Sequence, residues 1–359
     1  MPQRLLVIRF GALGDLCLLA WSLARLASAS PRVTLVTKEA FAGLASAFPG
    51  VDEVVPLRGR DLRALGRLAG ELRGRRHDAV VDAHGVLRAR VLSLLLGRRV
   101  DRRLQKDTAA RLRLLLHRRG SPRLQRTMRT RFDALLEPFA APGVDASQAP
   151  PLAGWAAARL PAPGANAGRP PARALGFAPG ARWPTKRWPI EHATSFLHAF
   201  RRASAAPVRL FLGPDEEAWF AGSTLEQAAA TVSGVELVAR RPLTDVALAL
   251  AGCAATVTSD SGLLHLSELV GTPVVALFGP TVREFGYAPT LPRSRLLEMS
   301  DLRCRPCSRN GRRPCWRGDL ACLAEIGPER VLAAALAVGG WSQDSGSTEA
   351  AGLPEEGAG

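Results

Sequence analysis

Residues 4–19 read RLLVIRFGALGDLCLL, and this stretch decides the fold class. The apolar run at residues 5–8 predicts a buried strand; a turn with Gly11 and Gly14 follows, and a helical pattern begins at Asp15. A strand, a glycine turn and a helix start are typical of a phosphate-binding unit. However, the glycines lack the G-x-G-x-x-G spacing, and a carboxylate repels an anion. Asp15 is therefore predicted to have another role.

Short apolar runs alternate with helical patterns on both sides of a segment rich in Pro, Ala and Gly. Such alternation indicates βαβ units and parallel sheets, and ligands of such sheets bind beyond the carboxyl ends of the strands. We predict an α/β protein with two doubly wound Rossmann-like domains and a site in the cleft between them. The predicted divisions are an N-terminal domain (1–140), a linker (141–173), a C-terminal domain (174–340) and a disordered tail (341–359).

The pattern also predicts individual elements. Strands are expected at residues 5–8, 33–36, 53–56, 79–82, 174–178, 208–212, 255–258 and 274–278. Helices are expected after Asp15 and at residues 40–47, 62–72, 86–96, 190–203, 216–229, 243–251 and 262–270. A further helix is expected to begin at Pro328, because proline suits the first helical position.

The net charge of +16 is concentrated in one part of the chain. Residues 58–131 contain 22 Lys and Arg against six Asp and Glu, so they carry the whole excess. The electrostatic field of this positive charge attracts nucleic acid, an acidic membrane surface or a phosphorylated glycolipid. Interleaved aromatic residues and known DNA-binding motifs are missing from this segment, which disfavours nucleic acid. The 45 arginines against three lysines leave genomic base composition as an alternative cause.

Composition and cysteine usage indicate the compartment. The chain is 47% hydrophobic and 22% charged, as in globular proteins. Its apolar runs are shorter than the roughly 18 residues of a membrane span, and Arg9 and Asp15 interrupt the first of them, unlike in a signal peptide. We therefore predict a cytoplasmic protein. Cys17 and Cys253 lie in apolar patterns and are predicted core residues.

A second group of cysteines has the spacing C-x2-C-x7-C-x6-C. Its members are Cys304, Cys307, Cys315 and Cys322. Four thiolates with one C-x-x-C pair can bind zinc tetrahedrally, although the second pair is spaced more widely than in common zinc sites. A structural zinc site, disulfides and free thiols all remain open, and none of these is expected to be catalytic.

The segment FAPGARWPTKRWP, residues 177–189, follows a predicted strand in the second domain. It places Thr185 and Lys186 in a loop at the carboxyl end of that strand. A compact ammonium on a flexible stem suits a phosphate group. The alternative is a solvated surface lysine between structural tryptophans.

The segment TVTSDSGLLHLSELVGTPVVALFGPT, residues 256–281, predicts a strand that leads directly into a helix. Asp260 or Ser261 can cap this helix, and the free N–H groups at Ser261 and Gly262 form an anion site. His265 lies on the first turn near the same mouth. The alternative is that Asp260 only caps the helix and His265 only packs.

Residues 4–19, 177–189 and 256–281 together resemble the ADP-heptose:lipopolysaccharide heptosyltransferases. These enzymes are bacterial glycosyltransferases of the GT-B fold. VVDAHGVLRAR (80–90) and CRPCSRNGRRPCWRGDLACLAEIGPERV (304–331) add to the resemblance. It implies transfer of heptose, or a related sugar, from an ADP-sugar to a phosphorylated inner-core glycolipid. It also implies direct displacement with Asp15 as the general base, and an enzyme that works at the inner face of the cytoplasmic membrane.

The resemblance implies roles for further residues of this sequence. On the donor side, Thr185 and Lys186 would hold the diphosphate, Asp260 the sugar hydroxyls, and Glu216 or Glu217 the ribose. Ser261, Gly262 and His265 would line the phosphate end of the donor.

On the acceptor side, Asp82 and His84 are candidates, although Val86 stands where the family pattern leads us to expect a polar residue. We also expect Gly11 and Gly14 to clear space for the acceptor hydroxyl, so that Asp15 reaches its proton. Lys186 and the helix N-terminus supply fixed positive charge for the leaving group, so no catalytic metal is expected. Another GT-B transferase or a nucleotide-sugar epimerase is the alternative, and a basic nucleic-acid-binding protein is a remote one.

Overall fold

The computed structural model describes residues 3–27, 31–118, 120–141, 149–160 and 173–341. These residues form two parallel sheets. The strands of the first sheet are β1 (Arg4–Ile8), β2 (Arg32–Lys38), β3 (Glu53–Leu57), β4 (Ala79–Asp82) and β5 (Arg102–Arg103). The strands of the second are β6 (Ala174–Ala178), β7 (Val208–Leu212), β8 (Val235–Ala239), β9 (Cys253–Ser259), β10 (Val274–Phe278) and β11 (Arg295–Glu298).

Helices cover these sheets. Those of the first half are α1 (Leu13–Ala24), α2 (Glu39–Ala45), α3 (Leu62–Arg73), α4 (Leu87–Leu95), α5 (Thr108–His117) and α6 (Met128–Leu136), and α7 (Ala153–Ala157) follows. Those of the second half are α8 (Ile190–Ala203), α9 (Glu217–Phe220), α10 (Thr224–Thr231), α11 (Leu243–Ala251), α12 (Gly262–Leu269), α13 (Ala321–Ala324) and α14 (Pro328–Gly339). None of the described helices combines the length and apolar character needed to cross a bilayer.

The order of the strands decides where a ligand can bind. The first sheet runs β3-β2-β1-β4-β5 and the second β11-β10-β9-β6-β7-β8. The direction of winding therefore reverses between β1 and β4 in one sheet and between β6 and β9 in the other. Loops that follow strands at such a switch point diverge and leave a crevice. The loops after β1, β6 and β9 are those in which the sequence motifs lie.

All eight predicted strands are confirmed, whereas β5, β8 and β11 were not predicted. These three lie at sheet edges, and each has exposed or half-buried residues in place of a long apolar run. The predicted helix at 216–229 is wrong as one element, because Gly222 adopts a φ of +73° and ends it. The Ser223 hydroxyl then caps α10 by accepting from the Glu226 N–H.

The apolar core continues from one half of the molecule into the other. Buried side chains of α1, such as Leu16, belong to the same cluster as Leu266 of α12. The helices approach so closely that a Cβ on Gly262 would lie 3.0 Å from the Leu13 side chain. The N-termini of α1 and α12, each following a strand at a switch point, therefore meet beside the cleft.

The predicted linker and tail lie partly outside the described residues. Within the linker range, residues 149–160 contain α7. They are attached to the second half by a hydrogen bond from the Leu152 N–H to the Leu269 carbonyl. Residues 142–148, 161–172 and 342–359 are outside the description. Trp341, the first residue of the predicted tail, packs edge-on against Phe200 and belongs to the folded part.

Candidate active site

A cleft of about 920 Å³ opens between the carboxyl ends of the two sheets. Residues of both halves line it, among them Asp15 from α1 and Lys186 from the loop after β6. The sequence motifs thus converge on one space, as the strand order requires.

Asp15 lies on the first turn of α1 and receives partners from both halves. Arg9, which follows β1 and is buried, places Nη2 2.5 Å from Asp15 Oδ2. The Tyr287 hydroxyl from the second half donates to Asp15 Oδ1 at 3.0 Å. Burial, assisted by the Asp15 charge, raises the pKa of Tyr287, so its hydroxyl keeps the proton that it donates.

The Asp15 carboxylate still has acceptor capacity towards the cleft. A carboxylate offers about four lone-pair directions, and the two partners described above use two of them. The Asp15 side chain is 18% exposed and lines the cleft. Arg9 is itself fixed by donating from Nη1 to the Ala83 carbonyl at 2.6 Å. The site therefore holds an oriented, paired carboxylate at the cleft wall, with room to accept one proton.

The expected role of the two glycines stays a prediction, and the structure shows what lies beside them. A Cβ on Gly14 would lie 2.7 Å from His265 Cδ2, and one on Gly11 would lie 3.0 Å from the Phe41 ring. Neighbouring side chains therefore fill the space that a Cβ would need at either glycine, and Gly14 itself lines the cleft. Gly11 also adopts a φ of +149°, a conformation that favours glycine.

The structure does not place Asp82 and His84 at the cleft wall. Asp82 is buried; Oδ1 accepts from the N–H groups of His84 and Gly85, and Oδ2 pairs with Arg103 Nε at 3.1 Å. This carboxylate closes the turn after β4. Burial and the nearby Arg9 charge lower the pKa of His84 to about 3.

Lys186 and Asp260 form the charged centre of the donor side. Lys186 Nζ lies 2.6 Å from Asp260 Oδ2, and the Thr281 hydroxyl donates to the same oxygen at 2.5 Å. Burial opposes ionisation of this carboxyl, yet the Lys186 ammonium and these hydrogen bonds lower the pKa of Asp260. The ion pair holds Lys186 in place at the mouth of α12.

The structure does not place Thr185, a predicted donor residue, at the cleft wall. Its side chain is buried, and its hydroxyl donates to the Gly311 carbonyl at 2.5 Å. Gly311 in turn lies against the Lys186 stem, because a Cβ there would come within 2.7 Å of Lys186 Cγ. Thr185 thus ties the Lys186 loop to the segment that carries Gly311.

The first turn of α12 provides the other predicted donor contacts. The Ser261 hydroxyl caps the helix by accepting from the Leu263 N–H, and Ser261, Gly262 and His265 all line the cleft. Burial lowers the pKa of His265 to about 4, so the imidazole is neutral near pH 7. A helix N-terminus with a neighbouring ammonium attracts an anion.

The structure separates Glu216 from Glu217. Glu216 is buried, lines the cleft and accepts from the Gly213 N–H at 2.9 Å. Its carboxylate fills the space beside Gly180, where a Cβ would lie 2.5 Å away. Glu217 instead pairs with the exposed Arg240 at 2.8 Å. Apolar side chains continue the cleft wall beyond Glu216. They are Phe211, Leu212, Val238, Leu243 and Val246.

Several cleft residues were not predicted from the sequence: Arg9, Lys106, Arg111 and Tyr287. One available signal was the scarcity of lysine, because the chain contains only Lys38, Lys106 and Lys186. Lys106 also lines the cleft, and Lys38 Nζ lies 3.9 Å from the Cβ position on Gly11. Burial, with nearby Arg9, lowers the pKa of Lys106.

Of the three states that the sequence left open for the second group of cysteines, a zinc site and disulfides are not shown. All six cysteines are free thiols, and the described residues contain no group of three His, Cys, Asp or Glu side chains placed to hold a metal ion. Cys322 is buried on α13 beside Gly279, whereas Cys304, Cys307 and Cys315 lie half-buried in the preceding loop. Cys17 and Cys253 are buried, as predicted.

Comparison with known proteins identifies the family. Residues 65–315 match the model of glycosyltransferase family 9 (heptosyltransferase). The chain is 28% identical to lipopolysaccharide heptosyltransferase 1 of Pseudomonas aeruginosa over 320 residues, which cover 85% of this chain and 86% of that protein. It is 32% identical to lipooligosaccharide heptosyltransferase 2 of Haemophilus influenzae over 166 residues, which cover 44% of this chain and 45% of that protein. The chain thus spans less than half of the length of the Haemophilus relative.

Solved structures share the fold. The chain matches Escherichia coli ADP-heptose lipopolysaccharide heptosyltransferase II with a TM-score of 0.65 and 20% identity, over 94% of this chain and 98% of that one. It matches an E. coli heptosyltransferase solved with ADP-2-deoxy-2-fluoro heptose with a TM-score of 0.63 and 23% identity, over 86% of this chain and 97% of that one. Fold and site together define a GT-B glycosyltransferase, as predicted. Because the family model covers most of the chain, the protein belongs to glycosyltransferase family 9, the heptosyltransferases.

Proposed function

We propose that the protein transfers heptose from ADP-heptose to a lipopolysaccharide inner-core acceptor. The observation that carries this proposal is the cleft in which Asp15 from one half faces Lys186 and the α12 N-terminus from the other. A glycosyl transfer needs a base for the acceptor hydroxyl and positive charge for the departing diphosphate. The Asp15 carboxylate supports the first requirement, and Lys186 with the α12 N-terminus supports the second.

In the proposed reaction, the acceptor oxygen attacks the anomeric carbon while the bond from that carbon to the diphosphate oxygen breaks. The hydroxyl proton passes to the Asp15 carboxylate, and the leaving electron pair stays on ADP. Lys186 and the N–H groups at Ser261 and Gly262 stabilise the diphosphate charge. His265, neutral near pH 7, adds no charge of its own. We expect turnover to persist in EDTA, since these groups supply the positive charge themselves.

Two features of the cleft support an ADP-sugar as the donor. The apolar wall after β7 and β8 suits a nucleobase face, and Glu216 beside it suits ribose hydroxyls, which donate to a carboxylate. One structural relative, an E. coli heptosyltransferase, was solved with ADP and, separately, with ADP-2-deoxy-2-fluoro heptose. We assign Asp260, which Lys186 and Thr281 hold in place, to the hydroxyls of the transferred sugar.

Donor binding is tested with two neighbouring carboxylates. We expect Glu216→Gln to weaken ADP binding about ten- to a hundredfold in calorimetry, because a hydrogen bond to a buried charge is lost. Glu217→Gln, whose carboxylate pairs with exposed Arg240, is the matched control and should bind ADP normally. A preference of the wild-type protein for UDP over ADP would contradict the heptose donor.

The base is tested by Asp15→Asn, which keeps the shape of the side chain and the Tyr287 contact. We expect turnover to fall by about a hundredfold or more, whereas ADP affinity stays within twofold of wild type. A product assay with ADP-heptose alone and with acceptor separates a transferase from an epimerase, which needs no acceptor. Normal turnover by Asp15→Asn would refute the base assignment.

We also propose that the rim of the first half contacts an anionic membrane at the cytoplasmic face. Leu62 and Leu87 open α3 and α4 at the carboxyl edge of the first sheet and are 71% and 75% exposed. Arg60 and Arg88 lie beside them, joined by a hydrogen bond from the Arg88 guanidinium to the Arg60 carbonyl. Exposed leucines among arginines are suited to a bilayer surface with acidic headgroups.

Membrane contact is tested by flotation with vesicles of phosphatidylethanolamine and phosphatidylglycerol. We expect Leu62→Ser/Leu87→Ser to bind at least tenfold more weakly, because two apolar side chains lose their burial in lipid. Leu237→Ser removes an exposed leucine from the second half and should bind as wild type does. If vesicle binding changed neither on substitution of the leucines nor with the salt concentration, the proposed membrane-contact surface would be contradicted.

A further inference from the structure

The segment after β10 crosses from the second half to the first. Val282 and Phe285 pack with Leu114 and Leu124, which belong to the first half. The Gly286 carbonyl accepts from the Met128 N–H at 2.9 Å, at the start of α6. We call residues 281–287 the crossing segment.

Gly286 allows this close approach. Its φ is +85°, and a Cβ would lie 2.8 Å from the Met128 nitrogen. Arg111 of α5 adds a second attachment, because its Nη2 donates to the Phe285 carbonyl at 3.0 Å. The crossing segment is therefore seated between α5 and α6 by both backbone and side-chain contacts.

The two ends of the crossing segment touch the two charged groups of the site. At its start, the Thr281 hydroxyl donates to Asp260 Oδ2, the oxygen that also pairs with Lys186. At its end, the Tyr287 hydroxyl donates to Asp15 Oδ1. Seven residues thus connect the donor-side carboxylate with the acceptor-side carboxylate.

The Tyr287 ring is held in position independently of its hydroxyl. The Arg111 guanidinium lies 5.7 Å from the ring centroid, and the His265 ring lies 6.0 Å away. A phenylalanine would keep these contacts. The hydroxyl, by contrast, fixes one oxygen of Asp15 while Arg9 fixes the other, so the remaining lone pairs are directed elsewhere.

We propose that the crossing segment couples donor binding to the orientation of Asp15, with Tyr287 as a positioning residue. This inference rests on the proposed function of Asp15 as the base. A donor that engages Lys186 and Asp260 changes the partner set of Thr281, and the seated segment transmits the change to Tyr287. Donor binding then adjusts the orientation of the base through these contacts.

The kinetic test is Tyr287→Phe in the full chain. We expect kcat to fall about ten- to a hundredfold, the effect of losing a hydrogen bond to a charged group, with the donor KM within twofold of wild type. Combined with Asp15→Asn, Tyr287→Phe should cause no further loss, because both act through one carboxylate. A wild-type kcat for Tyr287→Phe would overturn the inference.

The spectroscopic test uses the fact that Tyr287 is the only tyrosine of the chain. Protein labelled throughout with 3-fluorotyrosine carries one fluorine reporter, at this ring. We expect ADP to shift its ¹⁹F resonance in the wild type, and Thr281→Val to abolish the shift while ADP still binds in calorimetry. The coupling would be overturned if ADP did not move the resonance of the wild type. It would also be overturned if ADP moved the resonance of Thr281→Val as much as that of the wild type.

The two proposals fail in different ways. If Asp15→Asn turns over normally, the proposed base is wrong. If Asp15→Asn is inactive but Tyr287→Phe is fully active, the base stands and only the coupling is wrong.

Discussion

At the scale of single residues, the cleft depends on side chains that pack into the space where a glycine has no Cβ. Gly14 lacks a side chain because the His265 ring occupies the place of its Cβ. The same ring lines the donor side, while Gly14 precedes the proposed base. This contact, together with that of Gly262 against Leu13, limits how closely the two halves of the site approach.

Gly14→Ala tests this contact. The new methyl group would lie 2.7 Å from His265 Cδ2, so we expect a loss of about 1–3 kcal/mol in the free energy of unfolding and a lower kcat. The measurements are urea denaturation and steady-state kinetics.

Gly66→Ala is the matched control for Gly14→Ala. Gly66 lies exposed within α3, with no heavy atom within 4 Å of a Cβ. This change should stabilise the protein by about 0.5–1 kcal/mol. Equal effects of the two substitutions would contradict the close contact at His265.

At the scale of elements, buried Arg305 anchors the loop that follows β11. Its guanidinium pairs with Glu298 at 2.9 Å and donates to the carbonyls of Gly279, Thr281 and Met299 at 2.6–2.8 Å. The loop anchored in this way also supplies the Gly311 carbonyl that receives Thr185. One arginine therefore supports both the crossing segment and the Lys186 loop.

We expect Arg305→Met to lower the free energy of unfolding by about 3–5 kcal/mol, because buried carbonyls and one buried carboxylate lose their partner. Thermal and urea denaturation measure the loss, and ADP affinity should fall with it. Arg317→Met, in the same loop but paired with Asp319 at the surface, should leave the melting temperature unchanged. A stable Arg305→Met protein would show that the loop is anchored by other contacts.

At the scale of the whole molecule, burial of charged and titratable groups makes folding depend on pH. Burial lowers the pKa of His265 to about 4, whereas an unfolded histidine titrates near 6.5. Between these values the unfolded chain binds a proton that the native protein does not bind. Acidification from about pH 6.5 towards pH 4 therefore removes stability.

The variant His265→Gln isolates this contribution. We expect its free energy of unfolding to depend less steeply on pH than that of the wild type, by up to about 1.4 kcal/mol per pH unit in this window. Urea denaturation at several pH values between 4 and 7 measures the difference, in which the other titrating groups cancel. Parallel curves for the two proteins would mean that His265 is not buried in its neutral form.

Much of the architecture was predictable because long apolar runs have few alternatives. Residues 5–8 or 274–278 must be buried, and their alternation with amphipathic helices requires parallel sheets. Edge strands such as β5 and β8 were missed, since their pairing on one side only leaves them without a continuous apolar pattern. The break at Gly222 was missed because a single glycine is tolerated in a helical pattern.

The sequence by itself determined the two doubly wound halves and the strand-end motifs, because hydrophobic periodicity and turn residues act over short distances along the chain. It also placed Asp15, Lys186 and Asp260 at the mouths of strands. Only the tertiary structure decided which residues surround them. Tyr287 contacts Asp15 although 272 positions of sequence separate them. Asp82, by contrast, accepts from backbone N–H groups of the loop that follows it. Such partners depend on how the halves pack, and no local pattern records that packing.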